Sequence, residues 1–285
     1  MNDRIALITG ATQGIGRVAA RSIAPSFGSV VLVARDPKRG QDTVDEVQKA
    51  APATKVELLL GDLSLQADVR RIASEFKQRH SKLHLLVNNA GAIFSTRQTT
   101  VDGIEQTFAL NHLAYFLLTH ELLDVLRSSA PARVVSVASG AHSYARSGIR
   151  WDDLQSQSYS PMGVYGQSKL ANILFTTELA RRLTGSGVTA NCLHPGAVAT
   201  GFGHNNQGLY NWAIRLGQLF MITAEEGADT IIYLATSPDV DAVSGKYFYK
   251  RKPGKTSNWA RDDEAAARLW KVSSELCGLP VSAPS

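Results

Sequence analysis

The sequence predicts an α/β fold in which helices cover both faces of one open, doubly wound parallel sheet. Short, continuously apolar runs recur along the chain, as is typical of strands buried on both faces of a parallel sheet. Segments with apolar residues at helical spacing separate these runs, as right-handed crossover connections require. We find no internal repeat and no linker, so we expect residues 1–285 to form a single domain.

Strands and helices alternate in the order that this fold needs. The predicted strands are residues 5–8, 30–33, 56–60, 83–87, 134–137 and 188–193. The predicted helices are residues 14–26, 37–50, 66–80, 103–129 and 161–184. We expect residues 246–252 to form a last strand that runs into a basic loop, and residues 262–277 to form a C-terminal helix.

Composition and charge exclude several classes of protein. Lys and Arg total 30 against 25 Asp and Glu, and their scattered placement is not that of a nucleic-acid-binding arm. Cys192 and Cys277 are too few for a disulfide scaffold or a Cys-rich zinc site. We interpret His80 and His84 as ordinary histidines and expect no metal site. With neither a signal peptide nor a membrane-spanning run in the sequence, we expect a cytoplasmic protein.

A glycine-rich stretch connects the first predicted strand to the first predicted helix. Glycine allows a sharp turn and lets the backbone approach a pyrophosphate, while the helix N-terminus faces the phosphate charge. Three glycines alone would also suit a tight turn, but their place between strand and helix favours a dinucleotide site. The expected cofactor contacts in this stretch are Gly10, Thr12, Gln13, Gly14, Ile15 and Gly16.

The end of the second predicted strand indicates which dinucleotide binds. An acidic residue there would read a free ribose 2′-hydroxyl, whereas Ala34 leaves room and Arg35 can grip a 2′-phosphate with two hydrogen bonds. We therefore predict NADP(H) over NAD(H). Asp36 is the competing feature because it could take the role of the acid. Arg17 could add positive charge to the site or lie on the helix surface.

Tyr165 and Lys169 are four residues apart in a predicted helix and therefore share one face. An ammonium near a phenol favours the phenolate, so we expect Lys169 to lower the pKa of Tyr165. Such a tyrosine could give a proton to a carbonyl oxygen or take one from an alcohol. The alternative is that the pair lies on a solvated helix face.

The chain resembles the classical short-chain dehydrogenases/reductases over roughly residues 3–250. The matching motifs, in the family's order, are Thr9-Gly10 with Gly14-Ile15-Gly16, Asp62-Leu63, Asn88-Asn89-Ala90-Gly91, Asn111, Ser139, Tyr165-Gly-Gln-Ser-Lys169 and His194-Pro195-Gly196. The resemblance implies a Rossmann-like fold and hydride transfer between a nicotinamide and a carbonyl or alcohol carbon. The interval between Ser139 and Tyr165, with Trp151-Asp152-Asp153-Leu154, looks like that of the retinol dehydrogenase and WW-domain oxidoreductase branch.

The resemblance also implies a role for each matching residue. Tyr165 would be the general acid/base, Lys169 would hold the nicotinamide ribose and tune Tyr165, and Ser139 would hydrogen-bond to the substrate oxygen. Asn111 would support a helix kink and a proton relay through water. The remaining cofactor contacts would be Asp62 and Leu63 at the adenine, Asn89, Ala90 and Gly91 at the ribose, and Pro195, Gly196, Val198 and Thr200 at the nicotinamide.

Residues 202–221 are expected to form an apolar lid over the substrate. Apolar side chains fall on one helical face there, at Leu209, Trp212, Ala213, Leu216 and Phe220. Such a lid would suit a lipophilic alcohol, aldehyde or ketone, for which retinol and retinal are the pair most associated with the family. The alternatives are a helix packed on the core and contact with a membrane surface.

The leading hypothesis is an NADP(H)-dependent oxidoreductase acting on a small lipophilic alcohol or carbonyl compound. One alternative is a broad carbonyl reductase with another substrate. Another is a regulatory protein that binds NADP(H) without turnover, against which the intact Ser139, Tyr165 and Lys169 argue. By analogy with the family, residues 103–129 and 161–184 could pair across a homodimer.

Overall fold

Eight strands form one sheet in the part of the chain that the computed structural model describes, residues 3–196 and 222–280. The strand order is β3-β2-β1-β4-β5-β6-β7-β8. All neighbouring strands are parallel except the antiparallel pair β7 and β8. The bounds are β1 Ile5–Thr9, β2 Ser29–Ala34, β3 Lys55–Leu60, β4 Leu85–Asn88, β5 Ala132–Val137, β6 Val188–His194, β7 Tyr247–Tyr249 and β8 Lys252–Pro253. The predicted fold class is therefore confirmed.

Helices cover both faces of this sheet. Their bounds are α1 Gly14–Ile23, α2 Pro37–Ala50, α3 Gln66–Arg79, α4 Gln106–Phe108, α5 Ala114–Glu121, α6 Leu123–Ser128, α7 Pro161–Arg182, α8 Ala224–Thr236 and α9 Asp263–Leu276. Helices α1, α2 and α8 contribute buried side chains to one core, and α3, α5, α7 and α9 contribute to the other.

The central strands are apolar along their whole length because both of their faces are buried. In β1, Leu7 packs into one core, while Ala6 and Ile8 pack into the other, and all three are fully inaccessible to solvent. This alternation is the period of two that a β-strand imposes on its side chains. Because β1 and β4 lie in the middle of the sheet, their carboxyl ends mark the point at which the strand order reverses, where cofactors bind in such folds.

The single long helix predicted at 103–129 is wrong, because the structure divides this segment. The buried Glu105 carboxylate accepts hydrogen bonds from the backbone N–H groups of Thr107 and Phe108, at 2.8 Å each, and so starts α4 there. A π-helical turn over Ala109–Leu113 follows and leads into α5 and then α6. Turns of this kind inside helices are frequent at functional sites.

The strand expected within 246–252 is present as β7, and the basic loop expected after it is a turn at Lys250 and Arg251, but the return of the chain as β8 was not predicted. Lys250 and Arg251 have φ angles of 49° and 61°, which form a tight hairpin turn between β7 and β8. The expected lid at 202–221 lies outside the described residues. Within residues 3–196 and 222–280, no helix has both the length and the apolar composition that crossing a bilayer requires.

Candidate active site

Ser139, Tyr165 and Lys169 meet at the carboxyl end of β5. Ser139 follows this strand by two residues, and Tyr165 and Lys169 lie one turn apart near the start of α7. The Tyr165 side chain forms a hydrogen bond with the Ser139 side chain. The Lys169 Nζ atom lies 5.6 Å from the centroid of the Tyr165 ring. The structure therefore brings these three predicted residues together and does not leave them on a solvated helix face.

Lys169 is buried and has a defined hydrogen-bond acceptor. The residue is 2% exposed, and Nζ donates to the Val137 carbonyl oxygen at 2.9 Å. Gly91 lies against this group, since a Cβ atom built there would be 3.5 Å from Lys169 Nζ and 3.1 Å from Asn111 Oδ1. A side chain at position 91 would therefore crowd Asn111 and touch Lys169, which favours glycine there.

Burial dominates the protonation of the pair and corrects one expectation from the sequence. It raises the pKa of Tyr165 to about 12, and the hydrogen bond with Ser139 offsets only part of this rise. Burial also lowers the pKa of Lys169 to about 7. The net shift of the Tyr165 pKa in this structure is therefore upward, opposite to the expected direction, because burial outweighs the groups that favour the phenolate. At neutral pH the phenol is protonated and can donate a proton.

Asn111 occupies the π-helical turn before α5. Its Nδ2 atom donates to the Ala92 carbonyl oxygen at 2.9 Å and to Ser168 Oγ at 3.0 Å, and its Oδ1 atom accepts from the Ala92 N–H at 2.9 Å. These bonds tie the loop after β4 to α7, so the side chain of Asn111 joins two of the segments that form the site.

The glycine-rich loop has the shape that a pyrophosphate requires. Gly10 and Gly14 have φ angles of +65° and +52°, which favour glycine. A Cβ atom on Gly16 would lie 2.2 Å from the Gly10 carbonyl oxygen, so no other residue fits there. Gln13 precedes α1 without capping it through its side chain, which leaves the N-terminal N–H groups of the helix to a ligand. Thr12 and Ile15 lie half-buried in the same loop. These residues fit a dinucleotide.

The loop after β4 is hydrogen-bonded to the glycine-rich loop. Asn89 Nδ2 donates to the carbonyl oxygens of Thr9 and Gly10, each at 3.0 Å. Thr9 Oγ1 accepts from the N–H groups of Asn89 and Ala90, at 2.9 and 3.1 Å. Asn89 and Ala90 therefore lie beside the expected pyrophosphate position. Thr9 has a structural role that we did not predict, although it begins the glycine motif.

Arg35 lies at the end of β2 with its side chain 66% exposed, and Arg35 Nη1 is 3.6 Å from Asp62 Oδ2. The neighbouring Asp36 caps α2, because its Oδ1 accepts a hydrogen bond from the Arg39 N–H at 2.9 Å. Arg17 pairs with Glu46 on the surface of α1 and α2.

Asp62 and Leu63 form the neighbouring part of the site after β3. Asp62 Oδ1 accepts hydrogen bonds from the Ser64 N–H at 2.9 Å and from Ser64 Oγ at 2.7 Å, and Leu63 is buried. Together with Arg35 they place one cation and one buried apolar side chain at the end of the sheet where the adenosine half is expected.

An open cavity of about 550 Å³ begins at Gly140, the residue after Ser139. Its lining includes Gly140, His142, His194, Tyr247, Tyr249 and Lys255. His142 was not predicted: its Nδ1 atom lies 2.8 Å from the Ser139 carbonyl oxygen, and its Nε2 atom accepts from the Ser257 N–H at 3.2 Å. The imidazole therefore connects the backbone of Ser139 to the cavity wall.

Pro195 and Gly196 follow β6, whose last residue His194 lines this cavity, and the Gly196 N–H donates to His194 Nδ1 at 3.2 Å. Val198 and Thr200 lie outside the described residues. Among the residues that the structure does describe, no three His, Cys, Asp or Glu side chains come together as a metal site. Cys192 is a buried free thiol.

Comparisons with known proteins agree with this geometry. A sequence model of the family described as short chain dehydrogenase matches residues 4–208. Retinol dehydrogenase 12 from Mus musculus is 41% identical over 277 residues, which are 97% of this chain and 87% of that protein. The crystal structure of an uncharacterized protein from Mycobacterium paratuberculosis has a TM-score of 0.77 and 32% identity, and the match covers 100% of this chain and 96% of that one.

The fold is also similar to that of RhlG from Pseudomonas aeruginosa, solved as an active-site complex with NADP. That match has a TM-score of 0.66 and 27% identity, and it covers 87% of this chain and 94% of RhlG. Fold, ordered motifs and family match lead to one conclusion. The chain belongs to the short chain dehydrogenase family, in the branch that contains the retinol dehydrogenases.

Proposed function

We propose that the protein is an NADP(H)-dependent oxidoreductase that transfers hydride between the nicotinamide and a lipophilic alcohol, aldehyde or ketone. Members of its family are oxidoreductases that bind a nicotinamide cofactor. The observation that carries the proposal is the contact of Tyr165 with both Ser139 and Lys169, beside a glycine-rich loop shaped for a pyrophosphate.

Tyr165 is the proposed proton donor and acceptor. When bound, NADPH would supply a hydride to the carbonyl carbon of the substrate, and the carbonyl oxygen would then need a proton. Tyr165, protonated at neutral pH, gives its proton to this oxygen and yields the alcohol. Ser139 donates a hydrogen bond to the same oxygen, and the Lys169 ammonium stabilises the phenolate left behind. Alcohol oxidation reverses these steps and requires the deprotonated phenol.

Arg35 supports the preference for NADP(H). Its guanidinium is largely exposed at the end of β2, so it is free to turn toward a 2′-phosphate, and its planar fork suits bidentate phosphate binding. Asp36 gives no support to NAD(H), because its carboxylate caps α2. The NADP complex of RhlG is consistent with this proposal.

A lipophilic substrate is supported by the relative and by the cavity. Retinol dehydrogenase 12 is named for a lipophilic alcohol. The cavity beside Ser139 is lined in part by the rings of Tyr247 and Tyr249, which offer apolar surface to a substrate chain. The roles assigned to Val198 and Thr200 and to the lid at 202–221 remain part of this proposal.

The test is a substrate panel that contains retinal, aliphatic aldehydes, aromatic ketones and steroids, with consumption of NADPH followed by absorbance. We expect turnover of at least one lipophilic aldehyde or ketone. Turnover of small polar carbonyls alone would support the broad carbonyl reductase. Tight NADPH binding without turnover of any member of the panel, in either direction, would overturn the proposal in favour of a non-catalytic NADP(H)-binding protein.

A further inference from the structure

A chain of buried polar groups connects the C-terminal helix α9 to the acceptor of Lys169. Its side chains are Ser273 on α9, His112 in the π-helical turn and Asn172 on α7, and each is 0% exposed. Burying a polar side chain away from water costs free energy unless it is hydrogen-bonded. Apolar side chains could fill the same space without this cost, so three connected polar side chains in the core suggest a role beyond packing.

His112 lies in the middle of the chain, and its partners fix its tautomer. Its Nδ1 atom is 3.3 Å from Asn172 Oδ1, and its Nε2 atom is 2.9 Å from Ser273 Oγ. An amide oxygen only accepts, so Nδ1 carries the hydrogen and donates to it. Burial lowers the pKa of His112 to about 4, so the ring is neutral and Nε2 accepts the hydroxyl hydrogen of Ser273.

The hydrogen bond with His112 fixes the amide of Asn172, which in turn binds two backbone carbonyl oxygens. Because its Oδ1 atom faces His112, its Nδ2 atom faces the other way and donates to the Asn111 carbonyl oxygen at 2.8 Å and to the Val137 carbonyl oxygen at 3.4 Å. The Val137 oxygen also accepts from Lys169 Nζ at 2.9 Å. Asn172 and Lys169 therefore bind the same carbonyl, and a reversed Asn172 amide would direct an oxygen lone pair at it.

We propose that Asn172 and His112 are positioning residues for Lys169, and that Ser273 brings α9 into the support of the site. Asn172 holds the carbonyl of Val137 in place for the ammonium, and His112 prevents the Asn172 amide from turning over. Ser273 fixes the ring of His112 from the far side. This inference rests on the proposed function, since it concerns a lysine that holds the nicotinamide ribose.

The chain of residues offers a matched pair of variants. Ser273→Ala removes the last hydrogen bond of the network, whereas Ser274→Ala removes a hydroxyl that is equally buried on the same helix but bonds within it, to the Trp270 carbonyl oxygen at 3.0 Å. The readouts are the dissociation constant of NADPH from a fluorescence titration, kcat and KM for an aldehyde that the wild type reduces, and the melting temperature.

Ser273→Ala should weaken NADPH binding and lower kcat by about 2- to 10-fold relative to Ser274→Ala, which is the effect of one hydrogen bond. The KM for the aldehyde should stay constant, because none of the three residues lines the cavity proposed for the substrate. His112→Leu should give a larger loss of the same kind. His112→Asn should recover part of it, because its amide nitrogen can replace Nδ1 as the donor to Asn172.

Each outcome decides the inference. Equal NADPH affinity and equal kcat in the two serine variants, together with no rescue in His112→Asn, would overturn it. If Ser273→Ala and Ser274→Ala lower the melting temperature equally and neither changes NADPH affinity, Ser273 has only a structural role. That result would also overturn the inference. If the wild type binds NADPH but turns nothing over, the catalytic proposal fails. The difference in NADPH affinity between Ser273→Ala and Ser274→Ala still tests the positioning inference in that case. Wild-type protein that binds neither NADPH nor NADH would overturn both proposals.

Discussion

Replacing Arg35 with Ala should change the cofactor preference of the protein while leaving its fold intact. Arg35 is 66% exposed, and its Nη1 atom lies 3.6 Å from Asp62 Oδ2. An exposed ion pair of this kind contributes about 0–1 kcal/mol, so the free energy of unfolding should fall by no more than about 1 kcal/mol in Arg35→Ala.

The effect on NADPH should be larger than the effect on stability. A hydrogen bond to a charged group is worth about 1.5–3 kcal/mol, which corresponds to roughly 10- to 150-fold in an equilibrium or rate ratio. We therefore expect kcat/KM for NADPH to fall by about 10- to 150-fold in Arg35→Ala. NADH has no 2′-phosphate, so its kcat/KM should change by less than about threefold.

The assay compares kcat/KM for NADPH and NADH in the wild type, in Arg35→Ala and in Lys38→Ala. Lys38 is a matched control because it is a nearby surface cation whose Nζ atom lies 3.4 Å from Asp42 Oδ2. Its removal should leave the NADPH preference within about twofold of the wild type, as expected for a screened surface charge. An unchanged preference in Arg35→Ala, or an equal loss in both variants, would refute the role of Arg35.

Three further predictions follow from the same structure. Gly16→Ala places a Cβ atom 2.2 Å from the Gly10 carbonyl oxygen, so it should cost about 1–3 kcal/mol in a denaturant titration and weaken NADPH binding in a fluorescence titration; wild-type affinity would contradict the assigned loop. Burial lowers the pKa of His112 from 6.5 to about 4, so the unfolded chain binds the proton first as pH falls. The protein should lose about 2–3 kcal/mol of stability between about pH 6.5 and pH 4.5 through this group, and urea titrations of His112→Asn should lack that loss. Burial lowers the pKa of Lys169 to about 7, and its ammonium stabilises the Tyr165 phenolate, so kcat for aldehyde reduction should fall as pH rises through about 7; a constant kcat from about pH 6 to about pH 9 would contradict this.

The sequence predicts the sheet well because short, continuous apolar runs that alternate with helical segments are typical of strands buried on both faces. It predicts α2 at its observed bounds, Pro37–Ala50, and α7 within two residues of its end at Arg182. It does not predict the break at Ala109–Leu113, because apolar spacing is the same in an α-helix and across a π-helical turn. The sequence does not predict the buried Glu105 cap either, since a carboxylate beside apolar residues is usually interpreted as exposed.

The site could be predicted by residue type but not by environment. The spacing of Tyr165 and Lys169 places them on one helix face, and the structure confirms that they meet. Spacing carries no information about burial, which is why the predicted direction of the pKa shift of Tyr165 is wrong. Asn172 had a usable signal, since it lies seven residues after Tyr165 on the same face of α7, whereas the contact between His112 and Ser273 joins residues far apart in the chain.

The central claim is that Tyr165 transfers the proton when the carbonyl is reduced. The most direct measurement is kcat for reduction of a lipophilic aldehyde by Tyr165→Phe at saturating NADPH, with NADPH affinity measured on the same preparation. We expect kcat to fall by about 100- to 10,000-fold while NADPH affinity stays close to that of the wild type, because proton transfer by a positioned side chain contributes that much. Reduction at the wild-type rate by Tyr165→Phe would contradict the account.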